Sequence, residues 1–258
     1  MNLLPKQEKA IYRLKDNHHL PESYIENLEQ LDETSRQRLL LGNWEWDDDK
    51  ATLISYDAIM DYWNGQHIER GDKKYLTIDV ARKGKDKTVF RVWEGWVCTQ
   101  RFEMGISKVN EVVDKAKQIQ ATYGILNTRT IADEDGVGGG VVDYLRCEGF
   151  INNSKPKIEE VGDYMMVTNY ANLKSQCSIL MAKKIEAREV TEICEDTDII
   201  DIVSEEMQQV KLKDIDKDGK LAVLTKDKIK ENIGRSTDDW DSIFMRMWFE
   251  LEQEFFVV

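Results

Sequence analysis

Between Tyr75 and Phe102 the chain runs through three short apolar stretches with little between them: YLTIDV at 75–80, TVFRVWE at 88–94 and WVCTQRF at 96–102. Runs this short, rich in β-branched and aromatic residues, read as strands of an antiparallel meander, with Gly95 in the tighter connection. A meander must cover its apolar faces, and the next segment can do so. Val109, Val112, Val113, Ala116, Ile119 and Tyr123 recur at helical spacing behind Ser107, which is placed to cap a helix.

RTIAD at 129–133 returns to strand. Gly136, Gly138, Gly139 and Gly140 then break the chain before a helix expected from Val141 to Cys147. A strand at 158–161, a helix over 172–187 and an acidic helix near 198–209 follow. VKLKDIDKDGKLAVL at 210–224 reads as a hairpin turning at Asp218-Gly219, and a last helix is expected from Thr237 to Glu252. This order predicts an α/β fold, a ribonuclease H-like mixed sheet with flanking helices plus a C-terminal β-hairpin. An N-terminal helical arm precedes it. In PESYIENLEQL, Pro21 suits the first helical position and Tyr24, Ile25, Leu28 and Leu31 share a face. A second helix over 35–41 is stopped by Gly42, and Trp44 and Trp46 then form an expected clamp. The division is therefore residues 1–70 as linker and helical arm and 71–258 as the ribonuclease H-like domain.

No stretch approaches about 18 uncharged apolar residues, and MNLLPKQEKA lacks a secretory core, so a cytosolic location is expected. Cys98, Cys147, Cys177 and Cys194 lie far apart, which fits small buried hydrophobes better than a zinc cluster or a disulfide framework. With 49 acidic against 36 basic residues, the formal charge of -13 argues against coating nucleic acid by bulk electrostatics. The charge is unevenly spread. Arg82, Lys83, Lys85, Lys87 and Arg91 cluster, while Glu189 to Glu206 holds eight acids and no Lys or Arg. An acidic protein can still act on a polyanion if divalent ions offset the acids and a few cations hold the phosphates.

Three acidic groups stand out. Asp79 ends a strand whose Leu76, Ile78 and Val80 are apolar; a lone acid there is costly unless a hard cation compensates it, although it could also cap the ARKGKDK turn. Asp133 ends RTIAD in the same way, with Asp135 two residues on and an open glycine-rich approach. Those glycines could instead cradle a phosphate, but no G-x-x-x-x-G-K-[ST] occurs, which sets P-loop nucleotide hydrolysis aside. In RSTDDWDSIFMR, Asp238 and Asp241 share one helix face with Phe244, Met245 and Trp248, whereas Asp239 is expected to point to solvent. Each group has a structural explanation as first-turn or capping acids. Together they match a site in which shared carboxylates hold two divalent cations for phosphodiester hydrolysis.

The same residues resemble the nuclease domain of the large terminase subunit of tailed bacteriophages. YLTIDVARKGKDKTVF resembles the family's first acidic motif, IADEDGVGGGVVDYL its second, and RSTDDWDSIFMR its third, usually Ser-Pro-Asp-x-x-Asp-Ala. Thr237 and Ser242 replace the proline and alanine. LKDNHHLPESYIENLEQLDETSRQRLLLGNWEW resembles the segment joining the packaging ATPase to the nuclease, and NLKSQCSILMAKKI a helix after the second motif. The resemblance implies that Asp79, Asp133, Asp238 and Asp241 are catalytic and bind two Mg2+ or Mn2+ ions. It implies an endonuclease that cuts double-stranded viral DNA during genome packaging in the host bacterial cytoplasm, from a phage or prophage. The implied partners are the packaging ATPase domain, the small terminase subunit and the portal, and no membrane. Lacking the ATPase half, the chain is expected to be a fragment or a separately encoded nuclease.

Lys83, Lys85 and Lys87, just past Asp79, are candidates for DNA phosphate contacts or for a solvated loop. Asp214, Asp216, Asp218 and Gly219 open like a calcium loop, but Thr225 stands where a bidentate glutamate is needed. His18 and His19 have no further metal ligand nearby, and Trp93, Trp96 and Trp248 read as core. Two rival functions remain: another ribonuclease H-like enzyme such as a junction resolvase, and a non-catalytic docking module that binds packaging proteins through the 189–206 helix and the Trp44–Trp46 arm.

Overall fold

The computed structural model describes residues 51–81, 86–161, 164–166, 169–213 and 219–251. The arm helices, Trp44, Trp46, His18, His19, Lys83, Lys85 and the acids of the 214–218 turn lie outside the described residues.

A compact unit spans Ala51–Val258. Its first helix, α1 (Tyr56–Trp63), is capped by the Ser55 hydroxyl, which accepts from the Ala58 N–H at 3.3 Å. Ala58, Ile59 and Tyr62 of α1 belong to the core. The boundary expected after residue 70 thus falls inside the folded unit, because an amphipathic helix this apolar is stable only when its face is covered.

The meander forms as read, with β1 (Arg70–Asp79), β2 (Thr88–Gly95) and β3 (Val97–Met104) paired antiparallel. Gly95 takes the left-handed conformation in the tight turn, with φ of 64°. Helix α2 (Val109–Tyr123) starts one residue later than expected. Lys108 is its cap position and donates its N–H to Glu111 at 2.8 Å, while the Ser107 hydroxyl bonds Gly105 instead.

Strand β4 (Thr130–Asp133) runs parallel to β1, and α3 (Gly138–Leu145) leads into β5 (Glu148–Phe150), parallel to β4. The strand expected at 158–161 does not join this sheet. Among the described residues it is β6 (Glu159–Val161), paired with β7 (Tyr164–Met166) in a separate two-stranded sheet. The place beside β4 goes to the three residues of β5, too short and too mixed to show a period. Helix α4 (Leu173–Glu186), β8 (Thr191–Glu192) and α5 (Thr197–Gln208) follow, and β8 completes the six-stranded order β5-β4-β1-β2-β3-β8.

Of the hairpin expected over 210–224, the described residues show the antiparallel bridge Leu212 to Val223, flanked by backbone bonds of 2.8 and 3.0 Å. Helix α6 (Lys226–Ile233) lies beyond it. The last expected helix is three pieces: α7 (Asp238–Phe244), a 3-10 turn (Met245–Met247) and α8 (Trp248–Leu251).

Because strand side chains alternate, the sheet sorts its residues by parity. Leu76 and Ile78 of β1, Val80 just beyond it and Ala132 of β4 pack with α2 and α3. Tyr75 and Ile131 pack on the opposite face with α1, α4, α5 and α7. Asp79 and Asp133 share the parity of Tyr75 and Ile131, so both emerge on the α7 side. Among the described residues no helix is long and apolar enough to cross a membrane.

Candidate metal centre

Asp79 and Asp133 end neighbouring parallel strands whose last paired residues are Ile78 and Ala132. The carboxyl ends of adjacent central strands are where an open α/β sheet leaves a crevice for a ligand. There the two acids, with Asp238 and Asp241, line one cavity of about 460 Å³. Three segments far apart in sequence thus converge, as expected.

Their surroundings differ. Asp79 is 4% exposed, and no hydrogen bond or ion pair of its carboxylate is found among the described residues. Burial, reinforced by the carboxylates of Asp241, Asp238 and Asp133 and only partly offset by Lys226, pushes its pKa well above the usual carboxylate range. Asp133 accepts from the Asp135 N–H at 3.2 Å and from the Asn152 amide at 3.1 Å. Burial is the main reason its pKa is pushed up to about 6.

The helix-borne acids are held by cations. Lys174 lies 2.9 Å from Asp241, while Lys226 reaches Asp241 at 3.2 Å and Asp238 at 3.5 Å. Burial opposes the charged form of Asp241, yet these two ammonium groups outweigh it and hold its pKa down. Lys226 is itself raised, since the three acids overcome its own desolvation. Asp238 also accepts the Lys87 N–H at 2.9 Å. That bond comes from the backbone; the Lys87 ammonium pairs with Glu103 at 2.8 Å, so the candidate phosphate contact is engaged with an acid.

Lys174, Lys226, Asn152 and Asp135 are site residues that sequence reasoning did not single out. Only indirect signals existed: Lys174 sits in the NLKSQCSILMAKKI segment, and Asp135 in the second acidic motif. Asn152 bridges Asp133 and Asp135, its amide 2.8 Å from Asp135, and its carbonyl accepts the Lys174 N–H at 3.1 Å.

Asp239 departs from expectation. It is 4% exposed and lies against Arg91 at 2.8 Å and Arg101 at 2.7 Å. Arg91, grouped by sequence with the basic loop, is fully buried on β2.

Carboxylate oxygens and an amide oxygen are the donor set hard divalent cations prefer, and the buried Asp79 carboxylate, unpaired among the described residues, is the group such a cation would compensate. The fit lies in donor type. As they stand, no three His, Cys, Asp or Glu among the described residues form a group that could hold a metal ion. The reason is visible: Asp238 and Asp241 are drawn to lysine ammonium groups, and like-charged carboxylates do not cluster unaided.

A mixed six-stranded sheet flanked by helices, with acids at its carboxyl edge, is a fold shared with nuclease domains of phage large terminase subunits. The structures it resembles are nuclease domains of large terminase subunits. The nuclease domain of the large terminase subunit gp2 of bacterial virus Sf6 superposes with a TM-score of 0.64 at 17% identity, over 76% of this chain and 98% of that one. A substituted form of the Sf6 domain with manganese and beta-thujaplicinol gives a TM-score of 0.65 with the same identity and coverage. The large terminase nuclease of thermophilic phage G20c also aligns, at 13% identity over 77% of this chain and 98% of that one, with a TM-score of 0.49. No family profile and no curated protein matches the sequence.

Proposed function

We propose that this chain is a divalent-metal-dependent endonuclease that hydrolyses phosphodiester bonds of double-stranded DNA, the nuclease part of a phage genome-packaging machine acting in the bacterial cytoplasm. One observation carries the reading: Asp79, Asp133, Asp238 and Asp241 line a single cavity on the fold of terminase nuclease domains. The Sf6 domain has been solved with manganese and with calcium, which supports Mg2+ or Mn2+ for this site.

Asp79, Asp133, Asp238 and Asp241 would hold two ions. Bound there, the ions supply Lewis-acid activation of water and charge stabilisation of the leaving oxygen. The protein's own share is positioning. The Asn152 amide and the Asp135 N–H fix Asp133, the Lys87 N–H fixes Asp238, and Thr237 donates to Asp241 at 3.3 Å. Lys174 and Lys226 place positive charge beside the acids, where it lowers the cost of bringing a phosphate to an acidic cavity. In the packaging machine the partners are the packaging ATPase domain, the small terminase subunit and the portal.

Plasmid digestion with Mn2+ tests the reading. Wild-type protein is expected to nick and linearise the plasmid and Asp79→Asn to leave it intact; equal cutting by both would refute the assignment. A four-way junction offered against linear duplex separates this reading from a junction resolvase.

A further inference from the structure

Helix α7 carries two of the proposed catalytic acids on only seven residues, Asp238–Phe244. So short a helix does not hold itself in water, and its own Thr237 makes no side-chain cap. Its orientation has to come from outside. One support is Glu206 of α5, which accepts the Trp240 N–H at 2.8 Å. The other lies under the sheet-facing side.

Arg91 of β2 and Arg101 of β3 are directly opposed across the antiparallel pair. Two like charges in that position repel, and Arg91 is wholly buried. Asp239 lies between them. Its Oδ1 accepts from Arg91 at 2.8 Å and from Arg101 at 2.7 Å, and its Oδ2 accepts from Arg101 at 3.0 Å. Arg91 also donates to the Asp239 carbonyl at 3.1 Å and to the Ser242 hydroxyl, so backbone and side chains of α7 are gripped together. The far side of Arg91 is fixed by Glu192, which the Tyr62 hydroxyl bonds in turn at 2.9 Å.

We infer that Asp239, clamped between Arg91 and Arg101, is a positioning residue that sets the rotation of α7 and thereby aims Asp238 and Asp241 into the cavity. Asp239 follows Asp238 by about 100° around the helix, so fixing it on the arginines fixes the direction of its neighbour. The clamp is a rigid reference that the cavity lacks, since Lys174 and Lys226 approach from two other helices, α4 and α6. The inference rests on the nuclease reading for its consequence in cutting, and on geometry alone for its consequence in α7.

Arg101→Gln is the variant of choice, because Arg101 is partly exposed and the buried Arg91 keeps a partner in Glu192. Its thermal transition is expected close to that of the wild type. Amide hydrogen exchange at residues 240–244 should accelerate about tenfold while the amides of β1 and β4 keep their protection. Plasmid cutting should lose about tenfold in kcat with KM for DNA unchanged, the signature of misplaced catalytic groups, and Arg101→Lys should recover part of the loss. Unchanged exchange across 240–244 overturns the inference, as does a loss of protection spread evenly over the sheet. If the wild type cuts no DNA under any divalent ion, the nuclease reading falls, and the exchange profile alone decides the clamp.

Discussion

Asp133 stands beside Asp79 on the neighbouring parallel strand, one residue past the Ile78–Ala132 pair. Burial is the main reason the pKa of each is raised, so the charged forms of both carboxyls cost the folded domain stability. The energetic consequences of that arrangement are measurable without any assay of cutting.

Replacing Asp133 by Asn should stabilise the protein in EDTA. Burial pushes the Asp133 pKa up to about 6 from the ordinary aspartate value of 3.8, so the folded state favours the protonated form. The associated stability is fully present below the unfolded value and is lost as pH rises through about 6. At pH 8 the Asn variant should therefore show an unfolding free energy in urea higher by about 1 kcal/mol, after discounting for solvent screening, with the advantage vanishing near pH 4. An unaltered urea midpoint at pH 8 would remove the burial cost assigned to the Asp133 carboxylate.

Asp239 behaves in the opposite sense. Burial works against its charge, but Arg91 and Arg101 outweigh it and hold its pKa at about 2. Stability from this depressed group is present above the ordinary aspartate value of 3.8 and is lost as pH falls through about 2. Asp239→Asn leaves the buried Arg91 and the partly exposed Arg101 short of a counter-charge, a loss on the order of 3 kcal/mol at neutral pH. Acid titration of the unfolding midpoint checks it: the variant's curve should be flatter than the wild type's below about pH 4.

Lys226 neutralises the cavity from within. Lys226→Gln should lower the melting temperature in EDTA, by an amount equivalent to about 1 kcal/mol since the side chain is partly solvated. Adding Mn2+ should close most of the gap, because an ion bound by the acids replaces the missing charge. A variant that melts with the wild type in EDTA would show that the ammonium does not balance these acids.

Gly138 is required by a close approach. A Cβ built there would lie 1.7 Å from the carbonyl oxygen of Asp133, backbone that cannot move without shifting the acid. Gly138→Ala is expected to cost about 2 kcal/mol or more and to depress cutting beyond what the lost stability explains. Calorimetry and the plasmid assay on the same preparation would expose the difference. Gly139→Ala serves as the control, since its nearest contact is 3.6 Å.

The strands β1 to β4 were legible because each carries a strong local signal of β-branched or aromatic residues ending at a turn. Strands β5 and β8 were not: Glu148–Phe150 and Thr191–Glu192 are strands only because a neighbouring edge offers hydrogen bonds. Helix α6 was hidden for a different reason, since KDKIKENI buries only Ile229 and leaves almost no apolar face to read. The final helix looked continuous in period, and only packing reveals its 3-10 interruption at Met245–Met247.

The candidate site divides along the same line. Asp79, Asp133, Asp238 and Asp241 could be picked out in the chain because an acid closing an apolar strand, or on the apolar side of a helix, contradicts its local pattern. That contradiction is one-dimensional information. Which cations answer those acids is not, and Lys174, Lys226 and Asn152 carry no mark that separates them from solvated surface. Asp239 is the sharpest case. Its neighbours in sequence predict exposure, yet two arginines opposed across β2 and β3 need a negative charge between them, and only the folded sheet brings them together. Local patterning determined where charge was out of place; the compensation for it depends on Coulomb interactions over a few ångströms, which chain order does not encode and tertiary packing alone decides.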